Sequence, residues 1–345
     1  MKQKRQVNIR DVARQAGVSP STVSRVMNNP TIVRAEKRDL VLRAIRELGF
    51  IPDPTARTLG ARSMRTVAIV VPNIINSCMA QIVRGAMDVF RAHHMDVLLL
   101  NSDEDPEMES RHYQYLTESI VHGVVFITNC GADVDFGRIA GRMPVVLVDR
   151  EESHELVDTF IVDDRQGVRT LYRHLWEQGH RKIGLLSGNL QTPSARRRRD
   201  AFREMVGESG QQWQESAVES SPWTMEGGRD AFGRLLDRRN DLSALICCSD
   251  ILAMGALGES YRRGIRVPDD LAITGFDDFP EGRHTVPELT TLAYPHEDIG
   301  RRSAMAVIRR FSDMDRPGRF ELLPLALQVR GSSARPKKDE NDAYL

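Results

Sequence analysis

Between Ile9 and Asn28 the chain carries an apolar pattern that admits little except two short helices joined by a tight turn. Ile9, Val12, Ala13 and Ala16 recur at i, i+3, i+4 and i+7, giving one helix a single apolar stripe, and Gly17 interrupts it. Ser19 is a favourable N-cap and Pro20 a favourable first residue for a second helix, whose buried face is Val23, Val26 and Met27. Two helices at this spacing make a helix-turn-helix. The second helix then exposes Ser21 and Arg25, four residues apart and so side by side, with Pro20 at its leading edge. These three side chains are the candidates for entering a DNA major groove. A third helix is expected over residues 35–48, with Leu40, Val41, Ala44, Ile45 and Leu48 on one stripe and Gly49 as its stop. Residues 1–50 would then form a small all-α head.

Charge supports a polyanionic partner once the chain is divided. The whole chain is formally neutral, but residues 1–65 hold 14 basic and 5 acidic residues, and the other 280 hold 34 and 43. A head of +9 on a body of −9 is the asymmetry expected when one end neutralises phosphates. The segment 51–65 holds Pro52, Pro54 and Gly60, is basic and poor in apolar residues, and reads as a linker; Leu59 stands out in it as an apolar residue without an obvious core. The N-terminus lacks an apolar secretory core and no stretch has the length of a membrane span, so a cytoplasmic protein with no membrane partner is expected. Cys78, Cys130, Cys247 and Cys248 fit neither a disulfide framework nor a zinc pattern, and the nine histidines lack metal-ligand spacing. No metal and no cofactor are therefore expected.

From Thr66 onward the pattern changes to strands alternating with helices. Segments 66–72, 95–102, 123–128 and 144–149 are nearly all apolar and read as strands buried on both faces, with amphipathic helices near 78–93, 106–119 and 133–142. A second set has strands at 182–188, 244–250 and 271–278, with helices near 194–209, 224–238, 250–263 and 296–311. The expected fold is an α/β body of two doubly wound, parallel-sheet halves spanning 66–331, with ligand-binding residues just after the strands. Residues 332–345 are charged, without apolar period, and read as a disordered tail. No nucleotide-binding glycine motif, P-loop, nucleophile elbow or suggestively spaced carboxylate pair marks an enzyme.

The run VNIRDVARQAGVSPSTVSRVMNNP, the later ELGFIPDPTARTL and the body motifs SDILAMGAL and ITGFDD together resemble the lactose/galactose repressor family of bacterial transcription factors over nearly the whole chain. The resemblance implies a homodimeric repressor whose body resembles periplasmic sugar-binding proteins. It would bind a palindromic operator and release it on binding an effector, a sugar, sugar acid or related metabolite. It implies base contacts by Ser21 and Arg25, with Pro20 limited to apolar contact, and phosphate contacts by Ser19, Thr22 and Asn28. It also implies a hinge helix on DNA, with Leu59 entering the minor groove and Ala56 letting two hinges approach. Effector contacts carried over by motif are Asn76, Cys78, Asp149, Ser194, Arg198, Trp223, Ser249, Asp277 and His296.

The chain departs from the family pattern at several points. Arg34 stands where a Ser or Thr cap commonly opens the third helix, and Asp53-Pro54 replaces an Asn-led hinge start. Asn76-Ser77-Cys78-Met79 lacks the aromatic pair of relatives, which disfavours a stacked purine-like ring there. Each site residue has a bland counterpart: Arg196 to Arg199 as a solvated charge run, Trp223 as edge packing, Asp277 as a helix cap. Two alternative functions stay open: a family member whose effector strengthens operator binding, and a cytosolic sugar-binding protein with a vestigial head.

Overall fold

The computed structural model describes residues 7–28, 32–50, 65–127, 134–150 and 154–334, with the side chain of Asn28 excepted. Contacts divide the chain into two compact units, Met1–Arg65 and Thr66–Leu345. Ala56 and Leu59 lie outside the described residues.

The first unit contains α1 (Ile9–Gln15), α2 (Pro20–Asn28) and α3 (Ala35–Leu48). Asn8 and Asp11 form a capping box on α1: the Asn8 side chain accepts from the Arg10 and Asp11 amides, and Asp11 Oδ2 accepts from the Asn8 amide. Val12, Ala13, Ala16, Val23, Val26, Val41 and Ala44 form the core, so the stripes expected for α1 and α2 are the buried ones. Leu40 is a correction: it is 44% exposed, because the buried stripe of α3 runs through Val41, Ala44, Ile45 and Leu48 instead. Arg34 at the N-cap of α3 makes no capping hydrogen bond. A hydroxyl there would satisfy an orphan amide, so Arg34→Ser is expected to stabilise the head by about 1 kcal/mol. Amide exchange across α1 to α3 in the full chain should slow about fivefold; unchanged exchange would show that α3 needs no cap.

The second unit is built on two parallel sheets. The six-stranded sheet has the order β11-β5-β4-β3-β1-β2, from Phe320–Leu323, Asp158–Val162, Val145–Val148, Gly123–Ile127, Thr66–Val71 and Asp96–Asn101. The four-stranded sheet has the order β7-β6-β8-β9, from Val218–Ser220, Ile183–Ser187, Ala244–Cys247 and Ala272–Thr274. A short antiparallel pair, β10 (Thr291–Ala293) and β12 (Ala326–Gln328), forms its own two-stranded sheet, bridged to the end of β9 and the segment after it. The helices, in chain order, are α4 (Ser77–Ala92), α5 (Pro106–Glu118), α6 (Phe136–Ala140), α7 (Asp164–Glu177), α8 (Pro193–Glu208), α9 (Met225–Arg238), α10 (Asp250–Arg262) and α11 (His296–Arg310). Each sheet buries Val, Ile and Leu on both faces, as parallel sheets covered by helices do. Strand β2 departs from that expectation. It lies at a sheet edge, pairs only with β1, and leaves Leu99 partly exposed.

The chain passes between the sheets after β5, returns through α11 to place β11 beside β5, and brings its last described residues against the four-stranded half. Helix α11 packs backbone to backbone on α4: a Cβ at Gly300 would lie 2.0 Å from the Ile82 carbonyl oxygen, so only glycine permits this contact. The expected disordered tail, 332–345, is corrected at its start, and residues 335–345 lie outside the described residues. Ser332 and Ser333 are buried, Ser332 Oγ donating to the Ile273 carbonyl (2.6 Å) and accepting from the Thr290 amide (2.8 Å). Two short polar residues without periodicity look disordered in sequence, yet here Ser332 satisfies buried backbone groups and Ser333 Oγ bonds the side chains of Thr290 and His174.

Candidate functional site

On the head, Pro20, Ser21 and Arg25 are all exposed along α2, and Arg25 makes no ion pair among the described residues. Ser19 caps α2: its Oγ accepts from the Thr22 amide (3.2 Å) and lies 2.8 Å from Ser21 Oγ and 2.9 Å from Thr22 Oγ1. The leading end of α2 is thus a cluster of hydroxyls at a helix N-terminus, a place where phosphate is favoured.

In the body, the carboxyl ends of the strands open on a cleft of about 440 Å³. All nine residues selected from sequence line it: Asn76, Cys78, Asp149, Ser194, Arg198, Trp223, Ser249, Asp277 and His296. Two of them also hold helix ends. Asn76 Oδ1 caps α4 by accepting from the Cys78 amide (2.9 Å), and Ser249 Oγ caps α10. Asp277 is no helix cap; Ser249 Oγ donates to its Oδ2 (2.8 Å). Asp149 and Asp277, each just beyond a strand, hold φ of 56° and 122°, strained values for a residue with a side chain. Such strain recurs where a backbone is held for function.

Arginines and carboxylates interlock beside the cleft. Asp164 opens α7 and is 1% exposed, and both its oxygens are used. Oδ1 accepts from Arg198 Nε (2.7 Å), and Oδ2 accepts from Arg197 Nε (2.7 Å) and lies 2.6 Å from Arg197 Nη2. Arg197 Nη2 also donates to Asp149 Oδ1 (2.6 Å), and Arg198 Nη1 donates to the Cys248 carbonyl. The Arg198 guanidinium stacks 3.6 Å from the Phe276 ring centre. The run Arg196 to Arg199 is therefore split: Arg196 is exposed and Arg199 half-buried, while Arg197 and Arg198 are buried. Trp223 reaches the cleft over Gly188, where a Cβ would fall 2.0 Å from the indole. Sequence reading missed Asp164, Arg197 and Tyr294; the Tyr294 ring stacks on His296 at 4.2 Å and helps line the cleft.

Burial dominates the titration of this region. It pushes Asp277 up to about 8 against the opposing pull of Arg198, and it raises Asp149 despite Arg197. Burial also pushes His296 down to about 3, with Arg198 adding to the effect. Deeper in, burial raises Asp250 to about 6, although Thr291 Oγ1 (2.5 Å) and the Phe279 amide (2.7 Å) donate to it. A carboxyl raised by folding holds its proton longer in the native state. Its contribution is full below the unfolded value near 4 and is lost as pH rises to about 6. Asp250→Asn should therefore gain on the order of 2 kcal/mol relative to the parent between pH 4 and 6, measured by urea unfolding at each pH. A constant difference between the two proteins would show that Asp250 titrates normally.

Residues 8–53 match the family described as bacterial regulatory proteins, lacI family, and residues 172–333 match the periplasmic binding protein-like domain. Over 333 residues, 96% of this chain and 99% of the relative, the sequence is 31% identical to the ribose operon repressor of Halalkalibacterium halodurans. The chain belongs to the LacI family. A solved complex of the transcriptional regulator CelR with cellobiose is 28% identical with a TM-score of 0.71, covering 95% of this chain and all of that one. The lac repressor dimer bound to operator and an anti-inducer shares the fold at 24% identity and a TM-score of 0.79, over 96% of this chain and all of that one. This LacI-family chain is a DNA-binding transcriptional regulator with an effector-binding body, as its head and cleft had suggested. Among the described residues no helix is long and apolar enough to cross a membrane.

Proposed function

We propose that this regulator silences its target genes in the cytoplasm by binding a palindromic operator as a homodimer, and lets go when a small polyhydroxylated metabolite fills the cleft. One observation carries this reading: carboxyl groups, a guanidinium and an indole converge on a single cleft. Arg198 offers a charged donor, the carboxyl groups of Asp149 and Asp277 offer hydrogen-bonding partners for hydroxyl pairs, and Trp223 offers a flat apolar face for a sugar ring. Asn76, Cys78, Ser194, Ser249 and His296 complete the contact set. A ribose operon repressor and a cellobiose-bound regulator among its relatives support a sugar, sugar acid or close relative as effector.

On the DNA side, Arg25 reads guanine, Ser21 reads a neighbouring base and Pro20 contacts a thymine methyl. Ser19, Thr22 and Asn28 hold phosphates. Residues 1–50 act as the head, 51–65 as a hinge with Ala56 and Leu59 at the operator centre, and 66–331 as the effector and dimerisation body. Two heads on two half-sites are required for useful affinity, which is why the body must pair. Effector and operator then weaken each other's binding by the same factor.

The test is selection of bound sequences from a random duplex pool at two salt concentrations. A palindrome should emerge, and Arg25→Ala should cost about 1–3 kcal/mol of discrimination at one base pair of each half-site. A panel of sugars and sugar acids is then screened for release from that palindrome. Binding that is salt-sensitive without a preferred sequence would defeat the repressor reading, and a sugar that tightens the complex would replace induction by corepression.

A further inference from the structure

Linear spacing gave no hint of a metal site, but the fold assembles one set of donors. Cys78 from the first turn of α4, Asp277 from beyond β9 and His296 from the start of α11 place one ligand atom each within 4.8 Å of one another. All three side chains are buried and line the cleft. His296 is 3% exposed, and its Nε2 is buried without a hydrogen-bond partner, a costly state for a ring nitrogen unless something binds there. Tyr294 stacked on the imidazole and Ser249 Oγ bonded to the Asp277 carboxylate hold two of the donors in place, as supporting groups do around metal ligands.

Thiolate, imidazole and carboxylate together suit zinc-like ions and not the oxygen-seeking magnesium or calcium.

We propose that Cys78, Asp277 and His296 form a three-ligand site for a thiophilic divalent ion of the zinc class on the wall of the effector cleft. Three protein ligands leave a coordination position for an oxygen of the effector, the open arrangement of zinc sites that handle small molecules. This rests on the reading of the cleft as the effector site and deepens it: Cys78, Asp277 and His296 meet the effector through the ion they hold.

The experiment uses full-length protein, reduced and stripped with chelator, titrated with Co²⁺ as a spectroscopic stand-in for Zn²⁺. The expected result is one equivalent bound per chain, with a thiolate-to-cobalt charge-transfer band that Zn²⁺ abolishes by displacement. Cys78→Ser should remove the band, His296→Gln should weaken binding at least about tenfold, and Cys247→Ala should leave the spectrum unchanged. Circular dichroism of each variant separates loss of ligand from loss of fold. No charge-transfer band in the parent protein, or a band that survives in a folded Cys78→Ser variant, would overturn the proposal. Effector release from operator, measured on stripped and on Zn²⁺-loaded protein, tests the effector reading separately from the cobalt spectrum: release with no charge-transfer band overturns only the metal site, and a band with no release overturns only the effector reading.

Discussion

Asp164→Ala is expected to destabilise the body by about 3–5 kcal/mol, the scale for removing one partner of a buried ion pair. The carboxylate bridges Arg197 and Arg198, and its loss leaves two buried guanidiniums with Asp149 as their remaining carboxylate partner among the contacts seen here. It also removes a negative charge from the first turn of α7, where the helix dipole favours one. All three tryptophans, Trp176, Trp213 and Trp223, lie in the second unit, so their fluorescence during urea unfolding follows the body alone. The midpoint should fall steeply, while Asp164→Asn, which keeps an acceptor oxygen, should lose less. A loss under about 1 kcal/mol would mean that the arginines find water or new partners, and that the triad is ornamental for stability. Where the variant still folds, Arg198 loses the partner that holds its Nε, so effector affinity should drop as well.

The same residue shows why the sequence was only partly readable. Strands that follow the rule of uninterrupted apolar residues were found, and with them the expectation that ligand-binding residues sit just beyond strand ends. Strand β5, Asp158–Val162, begins with Asp and Thr and was missed, because its charged start is neutralised by Arg310 from α11 (2.6 Å), a partner 152 residues away. With β5 invisible, Asp164 two residues beyond it had no strand end to belong to. Strand β10 is three residues long, below what alternation reveals, so Tyr294 just after it went unrecognised too. The nine cleft residues named in advance, Asn76, Cys78, Asp149, Ser194, Arg198, Trp223, Ser249, Asp277 and His296, came from family resemblance and not from periodicity. Their convergence depends on the crossings between the two sheets, and these join segments more than two hundred residues apart. Leu40 and β2 failed in the opposite direction: apolar residues were taken as buried where an exposed helix face and a sheet edge carry them.

Gly188→Ala should produce a regulator that binds its operator normally but no longer responds to its effector. Gly188 follows β6 directly, and the added methyl would fall 2.0–2.2 Å from three atoms of the Trp223 indole. Contact that close cannot be absorbed by a few tenths of an ångström, so the ring must leave the position from which it lines the cleft. Losing a stacked sugar face and reshaping the wall should lower effector affinity at least about tenfold, or 1.4 kcal/mol. The head, in a separate compact unit, keeps its recognition helix intact. Effector titration of the operator complex measures the loss, and a cycle with Trp223→Ala assigns its cause. If the methyl acts only through the indole, the double variant binds effector no worse than Trp223→Ala alone. Additive losses would place the effect in the backbone after β6. Undiminished effector response in Gly188→Ala would mean that Trp223 packs the lobe edge and takes no part in recognition, and the sugar-stacking role would have to pass to another residue of the cleft.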